Sequence, residues 1–259
     1  MTVMEDEAAK LRAEVTLSCR ILAREGVTRL AFGHVSAKLD EERILIKARG
    51  PEEEALELVT ERDVIIVNAE GRDLQQKSGL TPPNETPIHT SLYRARGDVG
   101  SVIHAHPAWV VALLASGRQL LPLYGAYDPS GLQLALDGIP IYESSVLIST
   151  PELGDDLAAT LDDKGVCVLR GHGIVGVGGD VQEATANVLA LHELARVNWL
   201  AYAVGEPAAI NPRDSEILAA RRGSATRPRR RADGDTPQWH FYRQQLGVSS
   251  ASSLTPEVG

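Results

Sequence analysis

Val102-Ile103-His104-Ala105-His106-Pro107 decides how this chain is read. The run is apolar apart from two histidines at i and i+2. In a strand, side chains two apart share a face, so both imidazoles reach one metal ion. Pro107 ends the strand, because proline has no N–H for a ladder. The pair therefore stands at a strand's carboxyl end, where sites in α/β folds open. A His-X-His pair also occurs on ordinary surfaces, so its meaning turns on what else the chain offers.

A metal needs more than two ligands. The best third is His172 in Leu169-Arg170-Gly171-His172-Gly173, directly after the apolar run 166–169. Its flanking glycines allow unusual torsions and close approach. Three histidines with one open position suit a catalytic metal better than a closed structural one. Neutral imidazoles accept Zn²⁺, Mn²⁺, Co²⁺ or Fe²⁺. The other histidines fit less well. His192 lies inside a long helix and reads as packed or surface. His89 reads as supporting or structural, and His240 belongs to an aromatic tail. Glu85 opens the helix that leads into the histidine strand. A helix N-terminus stabilises a carboxylate, so an ordinary first-turn glutamate is the competing reading.

Working outward, apolar spacing predicts an opening helix over 8–25, ended by Gly26. Strand-like pieces follow at 30–39, 43–47 and 63–68, then a proline-bearing loop at 74–83. A helix at 85–95 precedes the histidine strand, 99–106, and a helix at 108–115 follows it. Further strands are expected at 140–142 and 165–170, and a helix at 151–161. Asp180 is a good N-cap for a long helix to about 204. This irregular alternation favours α/β or α+β. The tail is poor in apolar residues until Trp239-His240-Phe241-Tyr242, which should dock somewhere. The Ser-rich last dozen residues read as disordered.

Composition excludes several classes. At 259 residues, with 43% hydrophobic and 24% charged, the chain can bury a sizeable core in one large domain or two small ones. Only 4% is aromatic, so that core is aliphatic. A net charge of −9 argues against a phosphate-backbone partner. The one basic cluster, Arg221, Arg222, Arg227, Arg229, Arg230 and Arg231, sits among Gly, Ser, Thr and Pro and reads as a solvated loop or linker. Cys19 and Cys167 lack zinc spacing and read as free thiols of a reducing cytoplasm. No apolar run reaches a membrane span, and the acidic N-terminus has no signal core. The expectation is a cytoplasmic protein with neither nucleic-acid nor membrane partner.

Taken together, Glu85, His104-Ala105-His106-Pro107 and Gly171-His172-Gly173 resemble the class II aldolase/adducin superfamily. Gly33-His34-Val35-Ser36 resembles that family's early loop, and Arg94-Ala95-Arg96-Gly97-Asp98-Val99 its helix-to-strand connection. The likeness runs over roughly 10–205. It implies an α/β fold: a three-layer α/β/α domain with a mixed, mainly antiparallel central sheet, here over 1–222. Residues 223–259 would be a C-terminal extension, with 239–242 acting partly as a lid over a neighbour's site. It further implies a homotetramer with active sites between subunits, a divalent metal on His104, His106 and His172, and Glu85 as the group that moves a proton.

Family members with chemistry break a carbon–carbon bond and leave an enolate, which a Lewis-acid metal stabilises. The leaving fragment is an aldehyde in an aldolase and carbon dioxide in a decarboxylase. Sugar-phosphate aldolases of the family hold phosphate with small polar residues, including a Ser-Ser pair before the glutamate. This chain has Gly33-His34, Arg49-Gly50 and Pro83-Asn84 at those places. Arg and His suit a planar carboxylate better. The substitutions resemble the aromatic-acid decarboxylases of the superfamily. That resemblance implies an enzyme of aromatic-compound catabolism acting on a hydroxylated aromatic dicarboxylic acid, 3,4-dihydroxyphthalate going to protocatechuate being the leading example. His34, Ser36, Arg49, Lys77 and Tyr127 are the candidate substrate contacts, with Tyr124 and Tyr127 near the family's tyrosine position. The alternatives are an aldolase acting on an unphosphorylated hydroxy-acid or sugar, and an adducin-like binding protein. The intact metal histidines argue against the last.

Overall fold

The computed structural model describes residues 3–50, 55–76, 79–222 and 230–248. Lys77 and the last eleven residues lie outside them, so neither the Lys77 contact nor the expected disorder of the end is addressed. Seven strands form one sheet: β1 (His34–Lys38), β2 (Arg43–Lys47), β3 (Val64–Asn68), β4 (Ser101–Ala105), β5 (Ile141–Tyr142), β6 (Val166–Leu169) and β7 (Gly173–Gly178). Their order is β3-β2-β1-β4-β7-β6-β5. Every neighbouring pair is antiparallel except β5 with β6.

Strand alternation divides the apolar residues between two cores. On one face Val35, Ala37, Leu45, Ile103 and Ile174 pack against α1 (Val3–Arg24), α3 (Ala108–Ala115) and α6 (Val181–Val204). On the other, Ile44, Ile46, Ile65, Val102 and Val175 meet α2 (Thr86–Ala95) and α5 (Pro151–Leu161). Each fully buried Leu or Ile contributes roughly 1.5–3 kcal/mol, and both faces are needed to hold the central strands. The result is the expected three-layer α/β/α arrangement. Among the described residues, no helix is long and apolar enough to cross a membrane.

Several expectations need correction. Residues 30–33 do not extend β1, because Leu30 (φ +56°) and Gly33 (φ +118°) turn the chain before His34. Strand β7, Gly-Ile-Val-Gly-Val-Gly, was not expected from so glycine-rich a run. Its glycines serve close packing: a Cβ at Gly176 would stand 2.4 Å from the Val188 side chain of α6. Helices α4 (Pro129–Asp137) and α7 (Pro212–Arg222) were also not anticipated, and α7 takes up the first two arginines of the basic cluster. Of the rest, Arg230 pairs with Asp180 and Arg231 with Asp233, while 223–229 lie outside the described residues.

The aromatic tail is placed within this chain. In α8 (Pro237–Gln245), Trp239 and Tyr242 are buried in the core beside α1. A hydrogen bond from Arg24 to Gln245 ties the same two helices (2.9 Å). Two of the four aromatic-tail residues are therefore core packing, placed there by their large apolar area.

Candidate active site

The sheet register assembles the site at one end. His34 pairs across from His104, Ala105 from Ile174 and Leu169 from Gly173. Antiparallel pairing thus brings the starts of β1 and β7 beside the end of β4. Gly173 is required there: a Cβ would fall 2.4 Å from the Ala105 carbonyl oxygen and 2.6 Å from the His106 ring. The β6–β7 turn carries His172 against the His-X-His pair.

His104, His106, His172 and Glu85 converge, with one ligand atom from each within 4.8 Å of all the others. His104 Nε2 lies 2.8 Å from His106 Nε2 and 3.2 Å from Glu85 Oε2, and His172 Nε2 lies 3.5 Å from Glu85 Oε1. His104 is fully buried, and its Nδ1–H donates to the Ile174 carbonyl (2.9 Å). With Nδ1 so engaged, Nε2 faces the cluster, the arrangement that orients metal-bound histidines. Burial, and then proximity to His104 and His172, push His106 down to about 3 and keep it neutral. Converging imidazoles beside a carboxylate fit a divalent cation. The other such group among the described residues, Asp233, Asp235 and His240, already has countercharges in Arg231 and Arg243.

Glu85 sits at the N-cap of α2, yet its side chain makes no capping bond. It turns instead into the cluster, where the Ile148 N–H donates to Oε1 (3.1 Å). Burial alone would raise its pKa. The hydrogen bonds and charges of His104 and His172 outweigh burial and hold the carboxyl well below the usual carboxylate range. The first-turn reading of Glu85 therefore gives way to a residue of the cluster.

A buried chain of polar groups backs the site. His34 Nδ1 lies 2.6 Å from His89 Nε2, His89 Nδ1 2.6 Å from Ser36 Oγ, and Ser36 Oγ 2.7 Å from Tyr93 Oη. Ser36 is fully buried, and its hydroxyl is engaged by His89 and Tyr93 behind His34. His89 joins them, because α2 lies over the sheet and aims His89 and Tyr93 at β1. Burial, and then His104, push His89 down to about 3. Burial, followed by His89 and His104, holds His34 well below its ordinary value.

These shifts predict acid lability. A histidine whose folded pKa lies below the unfolded value of ~6.5 has its full stabilising effect above pH ~6.5, because below it the unfolded chain takes up the proton first. For His89 and His106 the loss runs from pH ~6.5 towards about 3. Each can contribute up to ~1.4 kcal/mol per pH unit. Glu14, pushed up to about 7 by burial, acts in the opposite sense between pH ~7 and ~4.5, one group against His34, His89 and His106. Thermal unfolding of chelator-treated protein should therefore move to lower temperature between pH 7 and pH 5. A flat or rising midpoint would contradict this.

A cavity of about 240 Å³ opens beside the cluster, lined by Phe32, His34, Lys47, Arg49, Glu85 and His106 among others. That is room for one substituted ring, at the small end of ligand clefts. Arg49 is clamped by backbone pairing with Thr81, and its Nη1 donates to Asn84 Oδ1 (2.5 Å). Its guanidinium is thereby tied to the loop that leads into Glu85. Two expected contacts lie elsewhere. Tyr127 is 65% exposed and donates to Glu193 Oε1 on α6 (2.9 Å), and neither it nor Tyr124 lines this cavity. The chain turns there towards α4 and α6, away from the sheet end. Lys47, which the sequence reading passed over, is at the wall.

Residues 13–199 match the family described as Class II Aldolase and Adducin N-terminal domain. The chain belongs to that family. A 3,4-dihydroxyphthalate decarboxylase of a Terrabacter species is 39% identical over 211 residues, covering 81% of this chain and 87% of the relative. A protein of the same name from Arthrobacter keyseri is 35% identical over 190 residues, covering 72% and 77%. The fold is that of L-fuculose 1-phosphate aldolase from Glaciozyma antarctica, with a TM-score of 0.75 at 21% identity over 95% of this chain and 94% of that one. This class II aldolase family member is a lyase, and its histidine cluster is a candidate divalent-metal site.

Proposed function

We propose that this family member is a metal-dependent decarboxylase of a hydroxylated aromatic dicarboxylic acid, converting 3,4-dihydroxyphthalate to protocatechuate in the cytoplasm. The observation that carries the reading is the cavity wall, which pairs a guanidinium with a hydrogen-bonding imidazole. Arg49 and His34 stand beside the Glu85–histidine cluster, where the family's sugar-phosphate aldolases use small polar residues. The names of the two relatives support it. His104, His106 and His172 would hold one Zn²⁺ or Mn²⁺ per subunit. When bound, the ion supplies Lewis-acid stabilisation of negative charge on the substrate's oxygen. The active unit is taken to be a homotetramer.

The chain's own groups then do the following. Arg49 receives a carboxylate in its two-pronged fork, already oriented by Asn84. His34 offers Nε2, its Nδ1 being committed to His89. Ionised Glu85 takes the proton of the ring hydroxyl as the substrate seats. It returns that proton to the ring carbon as the carbon–carbon bond breaks. The electron pair of the broken bond ends in the new C–H bond, and carbon dioxide leaves.

The test is carbon dioxide release. Purified protein supplied with Mn²⁺ or Zn²⁺ and 3,4-dihydroxyphthalate should give protocatechuate on chromatography, only with metal present. No turnover with metal bound would overturn the reading and direct the search to aldol cleavage of hydroxy-acids and unphosphorylated sugars.

A further inference from the structure

We propose that Lys47 is a specificity-determining residue whose ammonium holds a second carboxylate, restricting the cavity to dicarboxylates. The inference deepens the decarboxylase reading and rests on it.

Lys47 is the last residue of β2. Its strand position shares a face with Leu45, which lies in the core beneath α1. Lys47 is only 6% exposed, yet it lines the cavity. Among the described residues no hydrogen bond or ion pair engages its ammonium. The nearby groups that sense its charge are Cys19 and His34, and burial keeps both uncharged. Lys47 lines the cavity, so an anion that enters can pair with its ammonium. No carboxylate of the site is free to serve, because Glu85 is engaged by His104, His172 and the Ile148 N–H.

The arrangement of the two cations defines the ligand. Lys47 and Arg49 are two apart on extended chain, so they project to the same side. Arg49 gives a planar fork, and Lys47 a compact point charge. Two cations on one wall, with Glu85, the carboxylate among the described lining residues, already engaged, match a dianion whose charges are separated. Two carboxylates on neighbouring ring carbons supply that. A monocarboxylate leaves Lys47 without an anionic partner.

The test separates this residue from the reaction. Phthalate, which lacks the hydroxyls, and benzoate, which has one carboxylate, are titrated calorimetrically into the wild-type chain, Lys47→Met and Lys47→Arg. The wild type should prefer phthalate by roughly 10–100-fold, the worth of one charge-assisted contact. Lys47→Met should remove that preference without lowering the melting temperature, and Lys47→Arg should keep most of it. For 3,4-dihydroxyphthalate, Lys47→Met should raise KM more than it lowers kcat.

An unchanged preference in Lys47→Met overturns the proposal, and so does a wild type that does not distinguish the two acids. Inorganic phosphate competing as well as phthalate would assign the cations to a phosphate and overturn it too. If Lys47→Met fails to fold, Lys47→Gln takes its place in the same titration. A wild type that prefers phthalate through Lys47 but releases no carbon dioxide would retain this inference and overturn the decarboxylase.

Discussion

Replacing His104 by alanine is expected to abolish metal binding and turnover together. His104 stands at the centre of the cluster, its Nε2 within 3.2 Å of Glu85 and 2.8 Å of His106. Its ring is fixed from behind by the Ile174 carbonyl. Loss of an outer-shell partner already costs roughly 10–100-fold in metal affinity or activity, and loss of a ligand should exceed that. The fold should survive, because the strand's backbone ladder does not depend on the imidazole. The measurement is metal content after dialysis, with activity and circular dichroism on the same sample. A folded variant that kept its metal and rate would refute His104 as a ligand.

Glu85→Gln should separate binding from chemistry. The three imidazoles remain, so metal content should stay near that of the wild type. Proton transfer should fail, with kcat lowered by about 10²–10⁴, the usual worth of a positioned acid or base. The side chain is aimed for that work, with both oxygens on imidazole nitrogens and the Ile148 N–H holding one of them. Stopped-time chromatography on metal-matched samples would measure the change. A variant at full rate would make Glu85 a packing residue of the α2 entrance.

Much of this was readable from the chain, for identifiable reasons. His104 and His106 announce themselves because strand period two is rigid and Pro107 punctuates it. Helices 108–115 and 151–161 agree with the structure to the residue: Pro107 and Pro151 mark their starts, and Thr150 caps the second. The sequence hid β7, since glycine is depleted in strands and its purpose here, admitting Val188 of α6, lies in tertiary space. It also hid His89, whose role depends on α2 lying over β1. Lys47 escaped notice because a lysine ending a strand looks solvated. Only the fold buries it. For Ser36 and Tyr127 motif position suggested a substrate contact, and within this chain their hydroxyls bond to His89 and Tyr93 and to Glu193.

The chain from Tyr93 through Ser36 and His89 to His34 has a consequence for selectivity. Each link can run in either direction. If Tyr93 donates to Ser36, Ser36 to His89 and His89 to His34, then His34 presents an N–H to the cavity. If the links reverse, the same nitrogen presents a lone pair. The two states differ by a turn of hydroxyls and a shuffle of ring protons, and neither brings a net charge into the core. At this point the wall can greet a carboxylate acceptor or a hydroxyl donor equally, so reactant and product can each be matched by one unmoved imidazole.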